Sequence, residues 1–415
     1  MSLTIDKLND DTTFLLAFAP SFAPKSTKAG RKFPGASTIL LDPWLGGDAP
    51  ILHPTFQVSR HTGSSIITSL TELDPPPDVV VISQDKPDHC HQPTLCSLPK
   101  DTRTRILATP GAAKTIRGWK YFDHGIVHVM KPYNPHKASV VTRIRLEPYS
   151  STSSAGEITI ANIPTRRDIT GLHNAIGITY RPPGSLLSAF GGDETVSLSD
   201  LSTTPDAART LRKARSAANI SNATNKSRTY SLRDRSDSAA RPTYLDPVGN
   251  REGTTLVTEL PFSELQRVDS KTSQITRHHR EKTLSVIYTP HGLPLSTLKD
   301  YLAHHLQCVG AYPVTALFHC MNTEENPWCL GGMVANGAPG GVEVASSLEA
   351  KHWIGTHDEI KELKGVATLW LKSRRYSVEE VMGMLWERES RRDVKRRHGT
   401  AVKIMGCGER FRIAG

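Results

Sequence analysis

Short strands that are apolar on both faces are the feature of this sequence that most constrains its fold. Examples are "STILLD", "DVVVIS" and "TRILAT", and compact helical segments such as "GAAKTIRGW" lie between such strands. A strand with two apolar faces has to be covered by another layer on each side. The succession of strands and helices predicts two packed mixed β-sheets with helices outside them. We therefore expect an α/β fold of the αββα type, a four-layer sandwich.

The composition changes between residues 197 and 282. Ser, Thr, Arg, Ala and Asn dominate there, while aromatic and branched apolar residues become rare. A segment of that composition buries too little apolar surface to offset its ordering entropy, which predicts a flexible basic insertion. The later strands and helices complete the layers that the earlier ones begin. We therefore expect one domain over residues 1–415, interrupted by the insertion.

Charge and cysteine content argue against several classes of function. The net charge is +10, but much of the basic excess lies in the insertion and a C-terminal charge run, as in solvated segments, which argues against a nucleic-acid partner. The six cysteines form no C-x-x-C pair, which argues against a zinc ribbon and a disulfide framework. No apolar run is long enough for a membrane span, and the acidic N-terminus lacks the basic flank of a secretory signal. We expect an intracellular, cytoplasmic chain.

Acids and histidines follow several of the predicted strands. The strand "DVVVIS" continues into "QDKPDHCH", which carries Lys86, Asp88 and His89. Strand ends lie at a sheet edge, where α/β folds place their active sites, and a metal requires donors from several such segments. Further candidates are His173 in "TGLHNAIGITY", Asp193 in "SAFGGDET", His291 in "YTPHGLP" and His357 in "HWIGTHDE". Each alone also fits a structural role, as a helix cap, a turn residue or a satisfied polar histidine.

Taken in order, these blocks resemble the metallo-β-lactamase superfamily. "DVVVISQDKPDHCH" is similar to its strand and H-x-H-x-D-H loop, and "LLSAFGGDET" to its strand before a metal-bridging aspartate. "WIGTHDE" resembles the strand whose histidine closes the site, and "STILLDPWLGG" the strand with a structural aspartate, here Asp42. "ENPWCLGG" and "GAPGGVE" resemble fungal members of the lactonase-like branch. The likeness covers nearly the whole chain except the insertion.

The resemblance implies a metal-dependent hydrolase that departs from the family at the first metal site. Gln84 and Lys86 stand where the family has its two leading histidines, and His173 matches the third ligand of that site. The second site would keep two oxygen and two nitrogen donors, a set that suits one Zn²⁺, Mn²⁺ or Fe²⁺ ion. Its ligands would be Asp88, His89, Asp193 and His357.

The resemblance also implies a reaction on a small-molecule substrate. One ion would activate a water for attack on an ester, lactone, amide or phosphoester. Lys86 would replace the missing ion by polarising the substrate oxygen or holding an anionic group, and Asp88 would serve both as ligand and as catalytic residue. Because two leading histidines are lost, the alternative is a catalytically degenerate binding or scaffold protein that keeps the fold, and the site would then hold one ion or none. The sequence leaves open the oligomeric state and any role of His91, His291 and His319.

Overall fold

The computed structural model describes most of the chain outside the predicted insertion. The described residues are 1–23, 33–51, 53–151, 153–166, 168, 170–185, 196–197, 283–391 and 399–415. They belong to one compact unit that comprises Met1–Ser202 and Arg280–Gly415. Asp193 lies outside the described residues, and so does the predicted insertion except for its first residue. The metal-ligand role of Asp193 and the flexibility of the insertion therefore stay predictions.

The described part contains twenty-one short strands and few helices. The strands are β1 (Ser2–Lys7), β2 (Phe14–Ala19), β3 (Ser37–Leu41), β4 (Ala49–Ile51), β5 (Gln57–Arg60), β6 (Val79–Ile82), β7 (Arg105–Ala108), β8 (Val127–Val129), β9 (Thr142–Leu146), β10 (Gly156–Pro164), β11 (Asn174–Arg181), β12 (Val196–Ser197), β13 (Leu284–Thr289), β14 (Ala316–His319), β15 (Thr323–Glu325), β16 (Met333–Asn336), β17 (His352–Gly355), β18 (Glu362–Lys364), β19 (Lys372–Arg374), β20 (Ala401–Lys403) and β21 (Arg410–Ala414). The α-helices are α1 (Gln92–Leu95), α2 (Pro110–Gly118), α3 (Leu295–Tyr301), α4 (Gly337–Ser347) and α5 (Val378–Ser390). A π-helical turn at Leu302–Leu306 continues α3, and 3₁₀ turns lie at Leu70–Glu72, Ala138–Val140, Trp328–Leu330 and Val366–Trp370.

The strands assemble into two large mixed sheets and two small ones. The first large sheet has the order β21-β1-β2-β3-β6-β7-β8, with β3, β6, β7 and β8 parallel. The second has the order β12-β9-β10-β11-β13-β14-β17-β20, with β13, β14, β17 and β20 parallel. The small sheets are β18-β5-β4 and β16-β15-β19. The fold is therefore mixed α/β, as the sequence predicts.

The largest apolar cluster joins side chains from the two large sheets. Ile39 and Val81 of the first sheet share it with Ile160, Ile178 and Tyr288 of the second, and all five are buried. Side chains alternate along a strand, so the residues between these point to the other face of each sheet. Both faces of the central strands must then be apolar, which explains the sequence pattern.

The opposite faces of the large sheets pack against helices. Val80 of β6 shares a cluster with Ala113 and Ile116 of α2. On the second sheet, Trp353 of β17 belongs to a cluster with Val342 of α4 and other residues of α3 and α5. None of the helices in the described ranges has the length and apolarity that crossing a bilayer requires.

The carboxyl ends of the parallel strands carry the polar side chains that the sequence singles out. Asp42 follows β3, and Asp88 and His89 lie in the loop after β6. In the second sheet His291 follows β13 and His357 follows β17. Parallel strands end at the same edge of a sheet, so the topology brings these five residues to one edge of each large sheet.

Candidate metal centre

Four donor side chains from the two large sheets meet in one cluster. They are Asp88, His89, His291 and His357, and one ligand atom of each lies within 4.8 Å of all the others. The first three residues are buried, and the side chain of His357 is only 6% exposed. Among the residues that the structure describes, no other group of three or more His, Cys, Asp or Glu side chains comes this close.

The donor atoms of the cluster face one another at short range. Nε2 of His89 lies 3.1 Å from Nε2 of His291 and 3.7 Å from Oδ2 of Asp88. The same carboxylate oxygen lies 3.9 Å from Nε2 of His357. Ligand atoms that bind a zinc ion at about 2.0–2.2 Å in a tetrahedron are separated by roughly 3–4 Å. The spacing in the cluster therefore suits one small ion.

Two of the histidines are oriented by hydrogen bonds at the other ring nitrogen. His89 donates from Nδ1 to Oδ2 of Asp42 over 2.8 Å. His291 donates from Nδ1 to the carbonyl oxygen of Val334 over 3.0 Å. A neutral ring that carries its proton on Nδ1 has an unprotonated Nε2, so both Nε2 lone pairs face the cluster. Partners of this kind orient the histidines of metal sites.

A buried ion pair holds the third histidine. Nδ1 of His357 lies 3.2 Å from Oδ2 of Asp11 and 3.0 Å from Nζ of Lys361, and these two partners are 2.8 Å apart. Burial favours a higher pKa for Asp11, but Lys361 and His357 hold that pKa well below its usual range. Burial likewise favours a lower pKa for Lys361, and Asp11 and Asp88 raise it above the usual value. The pair is therefore charged.

The cluster contains more buried negative than positive charge. The carboxylates of Asp11, Asp42 and Asp88 are buried, and the only ammonium group in contact with them is that of Lys361 among the described side chains. When the histidines are neutral, the three carboxylates and the one ammonium group together carry an excess of two negative charges. Oδ1 of Asp88 is buried and has no hydrogen-bond partner among the described residues. Uncompensated buried carboxylates are costly, so the arrangement favours a divalent cation.

A proton is the competing cation. Burial opposes protonation of His89, but Asp88 and Asp42 outweigh burial and raise the pKa of His89. Burial, together with His357 and His89, keeps the pKa of His291 well below its usual range. A proton on Nε2 of His89 could thus bridge the two rings, although it would supply one positive charge rather than two.

Lys86 and Gln84 lie outside the cluster. Nζ of Lys86 donates to Oδ1 of Asp85 over 2.8 Å, and its side chain is 28% exposed. Gln84 donates from Nε2 to the carbonyl oxygen of Leu172 over 3.1 Å. The resemblance places these two residues at the positions of the leading histidines, and neither belongs to the group of four clustered side chains.

His173 also has other partners. Its Nδ1 lies 3.0 Å from the carbonyl oxygen of Gly292, and its Nε2 lies 3.0 Å from that of Met333. Because both ring nitrogens face carbonyl oxygens, neither is directed at the cluster. Two further histidines are buried elsewhere: Nδ1 of His91 caps α1, and Nδ1 of His319 lies 2.7 Å from the carbonyl oxygen of the following residue.

The sequence signals of the clustered residues were unequal. Asp88, His89 and His357 stood in blocks similar to the family motifs, whereas His291 was one strand-end histidine among several. Its position directly after a fully buried strand was the available signal. Asp11 and Lys361 gave none, because they are far apart in sequence and meet only in the folded chain.

A cavity of about 560 Å³ opens onto the cluster. Asp88, His291 and His357 line it, together with Lys86 and Lys361. Lys86 therefore reaches the same space as three of the four donors, although it takes no part in their cluster.

No protein-family model and no curated protein sequence matches the chain. Similar solved structures include a novel metallo hydrolase from the hyperthermophilic archaeon Ignicoccus hospitalis, with 9% identity over 100% of both chains and a TM-score of 0.42. Isothiocyanate hydrolase from Delia radicum gut bacteria has 11% identity over 98% of both chains and a TM-score of 0.43. A possible metal-dependent hydrolase from Veillonella parvula has 12% identity over 99% of both chains and a TM-score of 0.45. Similarity at this level is too loose to transfer a function or a site to this chain.

Proposed function

We propose that the chain is a metal-dependent hydrolase of the metallo-β-lactamase type that uses one divalent ion. The buried cluster of Asp88, His89, His291 and His357, with its excess of negative charge, is the observation that carries the proposal. Three imidazole nitrogens and one carboxylate oxygen suit Zn²⁺, Mn²⁺ or Fe²⁺. The shared core of the two large sheets and the helices against their other faces support an αββα sandwich.

In this proposal His291 supplies the donor that the family resemblance assigns to Asp193. It follows a buried strand of the second large sheet, and its Nε2 lies 3.1 Å from that of His89. Four protein donors are the usual count for a structural zinc, so the water on a catalytic ion would be its fifth ligand. Asp193 remains the alternative ligand.

The chain supplies the orientation of the donors and the environment of the substrate. Asp42 and Val334 hold two rings with Nε2 toward the cluster, and the Asp11–Lys361 pair holds the third. When bound, the ion provides Lewis acidity and an activated water for hydrolysis of an ester, lactone, amide or phosphoester. Lys86 lines the cavity, and we assign it to the substrate oxygen or an anionic substrate group.

Metal analysis of the purified full chain tests the proposal. We expect close to one equivalent of a transition metal in the wild type, and its loss in Asp88→Ala and His291→Ala. His352→Ala is the matched control, since His352 begins the strand that leads to His357 and lies outside the cluster. If Asp193→Ala loses the metal and His291→Ala keeps it, the fourth ligand is Asp193 and not His291.

Two further results would count against the hydrolase. The first is a folded wild type that carries no metal and takes up none of Zn²⁺, Mn²⁺ or Fe²⁺ at micromolar concentration. The second is a metal-loaded protein without activity on a panel of carboxylic, lactone and phosphate esters. Either result favours the alternative, a catalytically degenerate binding or scaffold protein. The presence of Gln84 and Lys86 in place of the two leading histidines supports that alternative.

A further inference from the structure

We propose that the cavity beside the metal cluster selects substrates in which a long alkyl or an aryl group adjoins the hydrolysed bond. This inference rests on the proposed hydrolase function and adds the class of substrate. Its basis is one wall of the cavity, to which two adjoining segments contribute several apolar side chains.

One face of the small sheet β18-β5-β4 forms the first part of that wall. Gln57 and Ser59 are two residues apart on β5, so their side chains point to the same side. The register places Ile51 of β4 opposite Gln57, and Leu363 of β18 opposite Ser59. All four residues line the cavity. The outer strands of this face therefore present branched aliphatic side chains to a bound substrate.

The 3₁₀ turn at Val366–Trp370 extends the same wall. The backbone N–H of Ala367 donates to the carbonyl oxygen of Phe56 over 3.0 Å, which fixes the turn on the loop before β5. Phe56, Ala367 and Leu371 line the cavity next to the sheet residues. Phe56 and Leu371 are half-buried, so part of their apolar surface remains open to a ligand.

Two charged groups of the cavity are already engaged with other side chains. Lys361 is paired with Asp11, and Glu359 accepts a short hydrogen bond from His61. Lys86 lies in the loop that also carries Asp88, at the donor end. A substrate meets polar groups at the donors and at Glu324 and Asn326, and it gains affinity by burying apolar surface against the sheet and turn residues.

The size of the cavity supports a large substrate group. Its volume is about 560 Å³, within the range of roughly 300–1,000 Å³ that is common for small-molecule sites. An ester or amide bond alone would leave most of this space unfilled. Each buried methylene contributes about 0.8 kcal/mol, which corresponds to an increase of about fourfold in kcat/KM.

A homologous series of 4-nitrophenyl esters, from acetate to decanoate, tests the proposal with the metal-loaded full chain. We expect kcat/KM to rise with acyl length by up to about fourfold per methylene until the cavity is filled. Leu371→Gln and Ile51→Gln should flatten this rise. Leu369→Gln is the matched control, because Leu369 lies on the same turn, is 74% exposed and does not line the cavity.

A second measurement separates this inference from the hydrolase proposal. Calorimetric titration with butan-2-one and decan-2-one uses neutral probes that cannot be hydrolysed. We expect at least tenfold tighter binding of the longer ketone, reduced in Leu371→Gln and unchanged in Leu369→Gln. Chain-length-dependent ketone binding without turnover of any ester would support the apolar site and refute the hydrolase. Ester hydrolysis at rates independent of acyl length, with equal ketone binding, would overturn the inference and leave the hydrolase standing.

Discussion

Replacing Asp42 by asparagine puts an amide nitrogen in place of one oxygen of the carboxylate that orients His89. The carboxylate of Asp42 is fully buried, and Oδ2 accepts from Nδ1 of His89 over 2.8 Å and from the hydroxyl of Tyr288 over 2.7 Å. Oδ1 accepts from the backbone N–H of Ser83 over 2.7 Å, and the Ser83 hydroxyl makes a short hydrogen bond to Oδ2. Every partner of this side chain is thus a donor.

An asparagine at position 42 cannot satisfy these donors in either orientation. If the amide nitrogen replaces Oδ2, it donates to Nδ1 of His89, and the ring must carry its proton on Nε2, where no lone pair remains for an ion. If the amide nitrogen replaces Oδ1, it confronts the backbone N–H of Ser83. The backbone N–H of Ser83 is then left without its acceptor, which costs about 1–3 kcal/mol.

The expected effect on Asp42→Asn is a loss of metal affinity of about 10–100-fold, the usual result of removing such a partner. At about 1.4 kcal/mol per factor of ten, this corresponds to roughly 1.4–2.8 kcal/mol. We expect the free energy of unfolding of the metal-free protein to fall by about 1–3 kcal/mol as well. The two losses are measured separately, by competition for Zn²⁺ with a chromophoric chelator and by urea denaturation in EDTA.

Asp78→Asn is the matched control, since Asp78 accepts from a backbone N–H and a hydroxyl at the opposite end of β6. We expect this variant to lose some stability and to keep the metal affinity of the wild type. A folded Asp42→Asn protein with unchanged Zn²⁺ affinity would refute the argument that the Asp42–His89 hydrogen bond prepares a metal ligand.

Three further perturbations follow from the same geometry. Lys361→Met leaves the buried carboxylate of Asp11 without its partner, and we expect the free energy of unfolding in urea to fall by about 3–5 kcal/mol. The double variant Gln84→His, Lys86→His restores the two leading histidines of the first metal site. The third ligand implied for that site is His173, whose two ring nitrogens both face carbonyl oxygens. We therefore expect metal analysis of the double variant to give still one equivalent. Chelation should lower the melting temperature of the wild type, since an ion at 100–1,000 times its Kd stabilises by about 2.7–4.1 kcal/mol. The chelator should have no such effect on Asp88→Ala.

The large sheets could be predicted because their signal is local. The residues of β6 are all buried, and an uninterrupted apolar run of this length is visible in the sequence. The small sheets carry no comparable pattern. β4 and β18 have three residues each. β4 pairs with β5 across a short loop, whereas β18 pairs with β5 from about three hundred residues further along the chain. Such short strands are selected by tertiary contacts rather than by their own sequence.

The candidate site likewise contains some residues that can be predicted from their local sequence and others that cannot. Asp88 and His89 follow a recognisable strand, and so does His357, so each was singled out from its local sequence. For the remaining donor the resemblance implies Asp193, which lies outside the described residues, whereas no motif of the family marks His291. Lys361 is four residues beyond His357 and resembles any surface lysine in sequence; only its contact with Asp11 in the folded chain gives it a role.

The charge of the cluster argues for one ion rather than two. Three buried carboxylates and the ammonium group of Lys361 leave two negative charges, which one divalent ion neutralises. A second divalent ion would leave two positive charges in a buried site, and this charge would oppose its binding. In the proposed centre His291 contributes a neutral donor where the family resemblance implies the anionic Asp193, so it lowers the positive charge that the centre can hold. The charge balance of the described side chains and the neutral His291 thus both favour the single ion of the proposed function.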